Sequence, residues 1–386
     1  MRLSASSEIA SLRHRPSSAL VAFAAGSLMT ATAFADSRPD VLWETAGHGA
    51  GVHAIAFSIS GAGFATGSED SHVRIWGLAD GAAGPNTQNC CGVYSVAISP
   101  DETHFASGSV SALQISRTDN GALFRRWSPG QSFPSVCYSP DGVWLASGAE
   151  AGGVKVWDVQ SGSLVRNLSA VGPCRDIAFS PDGTRLATTN GAGILIWNTG
   201  DWSVDQTLTG AAGTVSSLQY AREGDRILGV DFLPRLWRLS DGTLERSFNS
   251  LVGAVASAAL SPDGRVVVGN APINDKLLFW DAATGDELLT FDDATDLLQK
   301  TRFSATGRLF AYGQVDGHVV VARNPFWPTG DLDGDGHVNA QDTSRFVDAL
   351  LGINENPEQQ VCADVNEDGA LDGRDVAVFA EALIGM

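Results

Sequence analysis

The sequence predicts a mainly β chain, a ring of seven small sheets, followed by a short helical domain with two acidic loops. Three observations predict it. A Ser-Pro-Asp-Gly phrase, intact or altered, recurs seven times at steps of 40 to 43 residues. In most repeats a tryptophan ends a short apolar strand 16 to 19 residues beyond the start of that phrase. The last 56 residues abandon this pattern for alternating carboxylates, and the acidic pattern returns once, 33 residues on.

The chain has 386 residues, 44% of them hydrophobic, enough for more than one core. It opens with Arg2, Arg13 and Arg15, then an apolar run over 18–35 that ends in Ala33-Phe34-Ala35. A basic stretch, an apolar stretch and small residues, in that order, make a secretory signal. Residues 1–35 are therefore expected to be removed, with the mature chain starting at Asp36 and destined for the cell exterior or surface. No later segment approaches the roughly 18 continuous apolar residues that a membrane helix needs. The net charge is −19, and thirteen acids lie beyond residue 330 against Arg345 and Arg374 alone. Such an excess argues against nucleic acid and anionic membranes as partners and in favour of cations. The five cysteines, Cys90, Cys91, Cys137, Cys174 and Cys362, fit no zinc spacing and read as buried thiols or one unassignable disulfide.

The repeated phrase begins at Ser58, Ser99, Ser139, Ser180, Ala221, Ser261 and Ser304. Each copy follows a short alternating strand such as HAIAF or RDIAF and precedes a second, such as RLATTN. Pro-Asp-Gly fixes one φ and then tolerates a positive one, which turns the chain between them. A third strand closes on Trp76, Trp157, Trp197, Trp237 or Trp280, while Ser116 and Ala322 replace the Trp in the second and seventh repeats. These residues resemble the WD40 family of β-propellers, whose repeats run about 40 to 45 residues with four strands each. The WD dipeptide itself stands at Trp157-Asp158 and Trp280-Asp281. In the first repeat His48, Thr66, Asp70 and Trp76 match the family's hydrogen-bonded structural set. The resemblance implies a seven-bladed propeller over 39–325. The seventh repeat lacks a fourth strand of its own, and the N-terminal VLWET at Val41 to Thr45 is expected to supply it.

A propeller scaffold does not fix a function. Its funnel is expected to be lined by His53, Tyr94, Pro134, Arg175, Ser216, Ala256 and Gln299, at the start of each innermost strand. This mixed set holds no metal spacing and no paired carboxylates for hydrolysis. His53, Tyr94 and Arg175 are candidates for a recognition patch, against the simpler reading that they are rim residues.

The tail is more specific. Counting from Asp331, oxygen-bearing side chains fall at loop positions 1 (Asp331), 3 (Asp333), 5 (Asp335), 9 (Asn339) and 12 (Asp342), with Gly336 at position 6. Calcium takes six to eight oxygens, and a twelve-residue loop with alternate ligands and a central glycine wraps one ion. His337 at position 7 would contribute its backbone carbonyl. Asp364, Asn366, Asp368, Asp372 and Asp375, with the carbonyl of Ala370, fill the same places in the second loop. Phe346, Leu350 and Leu351 recur as Phe379, Leu383 and Ile384, an apolar face on each following helix. Pro325 and Pro328 forbid a helix before the first loop. Two calcium loops, each with only an exiting helix, resemble the type I dockerin family over Gly330 to Met386. After a linker at 326–330, residues 331–386 are thus expected to be a small α-helical, dockerin-like (duplicated F-hand) domain. The resemblance implies two Ca²⁺ ions and docking onto a cohesin-like module of another protein. The family's recognition positions correspond here to Ala340, Gln341, Gly373 and Arg374.

The combined reading is a secreted, non-catalytic recognition or scaffold protein, its propeller binding a protein or glycan. The alternative is an extracellular carbohydrate-active propeller enzyme that carries a dockerin for polysaccharide catabolism. Carboxylates converging on two points repel one another without cations, so metal and tail folding should be coupled. Chelator is expected to abolish the helical circular dichroism of an isolated 326–386 fragment, and an unchanged spectrum would refute the coupling.

Overall fold

The computed structural model describes residues 39–128, 130–150, 152–169, 173–191, 193–292, 298–327, 331–332, 338–353, 363, 365, 371 and 373–384. Within them lie seven antiparallel sheets of four strands each. The chain is a seven-bladed propeller, and after it the described residues include the helices Ala340–Leu350 and Gly373–Ile384. The innermost strands are Val52–Phe57, Val93–Ile98, Ser135–Tyr138, Ile177–Phe179, Ser217–Tyr220, Ser257–Leu260 and Leu298–Phe303, each touching its counterpart in the next blade around a closed ring.

The repeated phrase makes the turn between the first two strands. In the third repeat the Ser139 hydroxyl donates to Asp141 at 2.6 Å and accepts from the Trp144 amide at 2.9 Å, with Gly142 at φ +71°. Gly183 and Gly264 repeat that left-handed conformation, which costs glycine little. Where the second repeat has Glu102, the residue keeps φ +56°, and its carboxylate accepts from the Ser60 amide at 2.6 Å and hydroxyl at 2.7 Å. That departure from the pattern ties blade two to blade one.

The apolar core is divided among seven clusters, one between each pair of adjacent blades. A blade is too thin to bury its own faces, so its stability comes from its neighbours. The tryptophans belong to these clusters, and their N–H groups adapt to what each repeat supplies. In the first blade the Trp76 indole donates to the Thr66 hydroxyl at 2.7 Å. The Thr66 hydroxyl lies 2.8 Å from His48 Nε2, and His48 Nδ1 lies 3.0 Å from Asp70. Trp157 and Trp197 find Ser147 and Thr188 in the same way. Blades five and six have Gly229 and Gly269 there, each with a tryptophan ring so close that a Cβ would lie 2.9 Å from it. Their indoles donate instead to the backbone carbonyls of Thr209 and Asn249, at 2.8 and 2.9 Å.

The ring closes as the sequence indicated. Strand Val41–Thr45 pairs antiparallel with Val319–Arg323 as the outermost strand of the seventh blade. Trp43 then reaches into blade one, stacking on Phe64 at 5.8 Å and donating to the Leu78 carbonyl at 2.8 Å. The Arg323 guanidinium meets the Asp40 carboxylate at 3.1 Å.

Deleting residues before Gly47 is expected to lower the melting temperature by at least about 5 °C, since it strips a strand and the Trp43 contacts; an unchanged melt would refute the closure role. A pH effect follows from His48. Burial is the main cause holding its pKa down, from 6.5 to about 4, against the pull of Asp70. The unfolded chain therefore binds a proton that the folded chain refuses between those two values, and stability falls as pH drops through that window. Relative to H48Q, the wild type should lose on the order of 2–3 kcal/mol between pH 7 and pH 4 in denaturant unfolding. Parallel pH profiles for the two proteins would disprove it. The Asp70 carboxylate is desolvated, yet the Gly49 amide and Arg74 hold its pKa below the ordinary value, so a further loss is expected under more acidic conditions.

Candidate functional site

The best-defined candidate lies in the tail. Helix Ala340–Leu350 begins with Asn339 as N-cap, its side chain accepting from the Gln341 amide at 2.7 Å. Asp342, the third residue of that helix, accepts from the Asn339 amide at 2.7 Å and closes a capping box. Its other oxygen accepts from the Leu332 amide at 2.6 Å, drawing the start of the first loop onto its end. One carboxylate thus caps the helix, complements the helix dipole and closes the loop.

Asp331 and Asp342, at positions 1 and 12 of the first loop, are fully buried, as is Asp375 at position 12 of the second. Full burial of three acids in so small a domain is costly unless positive charge or hydrogen bonding compensates. An all-oxygen donor set of this kind suits a hard cation. Asp333, Asp335, His337, Asp364, Asn366, Asp368, Ala370 and Asp372 lie outside the described residues. So do the side chains of Ala340, Gly373 and Arg374, whereas Gln341 is exposed.

The duplication extends to the packing. Phe346 and Phe379 stack with ring centroids 4.0 Å apart and planes 9° from parallel. Leu332 with Val365, and Val338 with Leu371, join the same cluster. Sequence reasoning passed over those two pairs, although the 33-residue offset that matched the phenylalanines identifies them too. It also placed Leu351 on the buried face. The structure corrects this: the helix ends at Leu350, Gly352 takes φ +67°, and Leu351 is 67% exposed.

On the propeller, His53 Nε2 lies 3.0 Å from Glu69, and its ring sits 5.2 Å from that of Tyr94. These two form a pair at neighbouring blades. Arg175 stands exposed on the fourth blade and Ala256 on the sixth, whereas His53, Tyr94, Pro134 and Ser216 are half-buried and the side chain of Gln299 lies outside the described residues. In the first six blades the next residue along is buried. There Asp176, missed by sequence reasoning, accepts from the Ser135 hydroxyl at 2.7 Å, the Ile177 amide at 2.9 Å and the Leu218 amide at 2.8 Å. It joins blades three, four and five. Lys300 holds the same place in blade seven, its pKa pushed down to about 8 by burial and by Arg302, with Asp176 opposing. The signal for both was available: a charge inside a strand where most repeats carry Ser or Ala. With three donors already engaged, Asp176 acts as a strut rather than as a catalytic base.

No helix among the described residues is long and apolar enough to cross a membrane. Residues 329–384 match the family described as dockerin type I domain, and residues 40–77, 86–112 and 129–158 match the WD domain, G-beta repeat. Among curated proteins, the chain is 24% identical over 301 residues to apoptotic protease-activating factor 1 of Rattus norvegicus, covering 74% of this chain and 23% of that protein. It is 26% identical over 219 residues to autophagy-related protein 16 of Arabidopsis thaliana, covering 55% of this chain and 42% of that one. It is 26% identical over 144 residues to the target of rapamycin complex subunit wat1 of Schizosaccharomyces pombe, covering 36% of this chain and 46% of that one. The chain thus spans less than half the length of each of these relatives. Fold, repeats and matches agree that this is a WD40-repeat β-propeller followed by a C-terminal domain of the type I dockerin kind, a calcium-binding class.

Proposed function

We propose that the protein is a secreted, non-catalytic recognition component whose propeller holds a protein or glycan and whose tail attaches it to a cohesin-like module. The observation that carries this reading is the burial of Asp331, Asp342 and Asp375 at loop positions where oxygen ligands belong. The proposed first-loop ligands are Asp331, Asp333, Asp335, the carbonyl of His337, Asn339 and Asp342. Those of the second are Asp364, Asn366, Asp368, the carbonyl of Ala370, Asp372 and Asp375. Bound calcium, one ion per loop, supplies the charge that makes this clustering of carboxylates favourable.

The residues of the chain do the positioning. Asp342 is oriented by the Leu332 and Asn339 amides, and a carboxylate can accept about four bonds, so loop closure and metal ligation are compatible. Asn339 is engaged as N-cap, which favours an indirect, water-mediated role for it at position 9. The stacked Phe346 and Phe379 join the two helices, so ordering one loop supports the other. Exposed Gln341, with Ala340, Gly373 and Arg374, would then face the partner from the first turns of the helices. A dockerin-type segment together with a signal-like N-terminus supports an extracellular setting. Propeller relatives that include a named complex subunit support a protein-contact role.

Calorimetry of the mature chain with calcium is expected to give two equivalents, one in either D342A or D375A and none in the double variant. On a panel of immobilised recombinant type I cohesin modules, at least one should retain the chain in calcium and release it into chelator. Absence of calcium uptake, or retention indifferent to chelator, would overturn the proposal.

A further inference from the structure

The second blade departs from the first at one place. With the 41-residue step, His48, Thr66 and Asp70 correspond to Asn89, Ser107 and Ser111. Asn89 donates to the Ser107 hydroxyl at 3.2 Å, so that half of the network persists with smaller groups. The carboxylate is gone. The residues after Asn89, where blade one has Gly49 and Ala50, are Cys90 and Cys91. Both sulfurs lie against the hydroxyl that replaces the carboxylate, at 3.3 and 3.5 Å from Ser111 Oγ, and Cys90 Sγ also lies 3.6 Å from Ser109 Oγ. Successive side chains on an extended strand point to opposite faces; in this loop the two thiols converge.

Their surroundings contrast with those of the other described cysteines. Cys174 is buried, and burial pushes the thiols of Cys137 and Cys174 up to about 12. Cys90 is exposed, which corrects the expectation of buried thiols, and Cys91 is half-buried. Partial desolvation raises the Cys90 pKa, but hydrogen bonds from Ser111, Ser109 and Cys91 and the charge of Arg126 outweigh it, leaving it at about 7. An accessible thiol of that kind is a competent ligand near neutral pH.

We propose that Cys90 and Cys91 form a two-sulfur site for a soft monovalent cation of the copper(I) type. Thiolate pairs select soft ions, whereas zinc sites take three or four protein ligands. Among the described residues no group of three or more His, Cys, Asp or Glu side chains is placed to hold a metal. The charge favours a monovalent ion as well. Two thiolates with one such ion leave a single negative charge, which the guanidinium of Arg126 offsets. Binding forms two metal–sulfur bonds and releases the two thiol protons to solvent, with no change of oxidation state.

The full-length reduced chain, titrated anaerobically with copper(I) against a chromophoric chelator, should take up one equivalent at this pair. C90S and C91S should each weaken that uptake at least about tenfold, while C174S leaves it unchanged. Melting curves of each variant identify any loss caused by misfolding. In the wild type, independent of any variant, copper(I) should protect Cys90 and Cys91 together from iodoacetamide, read by peptide mass spectrometry. Overturning results would be no uptake, uptake that survives C90S or C91S, or protection of only one thiol.

Discussion

A ring of sheets is only as stable as its closure. Each blade has two broad apolar faces and no second layer of its own, so all seven clusters of the core lie between blades. If one interface opens, two faces are exposed and every other interface loses its constraint. The antiparallel pairing of Val41–Thr45 with Val319–Arg323 holds the ring shut by placing both ends of the propeller in one sheet. Trp43 extends the closure into the next blade through Phe64 and Leu78. The mechanism also removes an unpaired strand edge.

Within that constraint the repeats vary freely where a polar group has another way to be satisfied. The indole N–H of Trp76, Trp157 and Trp197 bonds a hydroxyl, whereas those of Trp237 and Trp280 bond a carbonyl because a glycine has removed the hydroxyl. In each case a buried donor keeps an acceptor, which is the condition that matters energetically. The second blade keeps Asn89 on Ser107 after losing both the Trp and the acid, and thiols stand beside the vacated carboxylate position. The fold tolerates such local change because the interfaces between blades, rather than any single polar set, carry its stability.

The tail solves a different problem with the same device, duplication. Its core pairs Leu332 with Val365 and Phe346 with Phe379, so each half covers the apolar face that the other cannot bury alone. Three of its acids, Asp331, Asp342 and Asp375, are buried. Carboxylate placement and helix capping are the same act at Asp342, which accepts from both Leu332 and Asn339. A change in the loop is therefore felt at the helix, and the reverse.

The sequence by itself determined the number of blades, the turn at each Ser-Pro-Asp-Gly, the borrowed N-terminal strand and the duplicated acidic loops. These are readable because each rests on residues close in sequence, or on a period that a single chain displays to the eye. What only the tertiary structure decided mostly involves partners 20 to 42 residues apart. Asp176 as a strut across three blades, the carbonyls chosen by Trp237 and Trp280, the exposure of Leu351 and the convergence of Cys90 and Cys91 on Ser111 are of this kind. Residue type and spacing state what a side chain can bond, and the closed ring decides which neighbour arrives within reach.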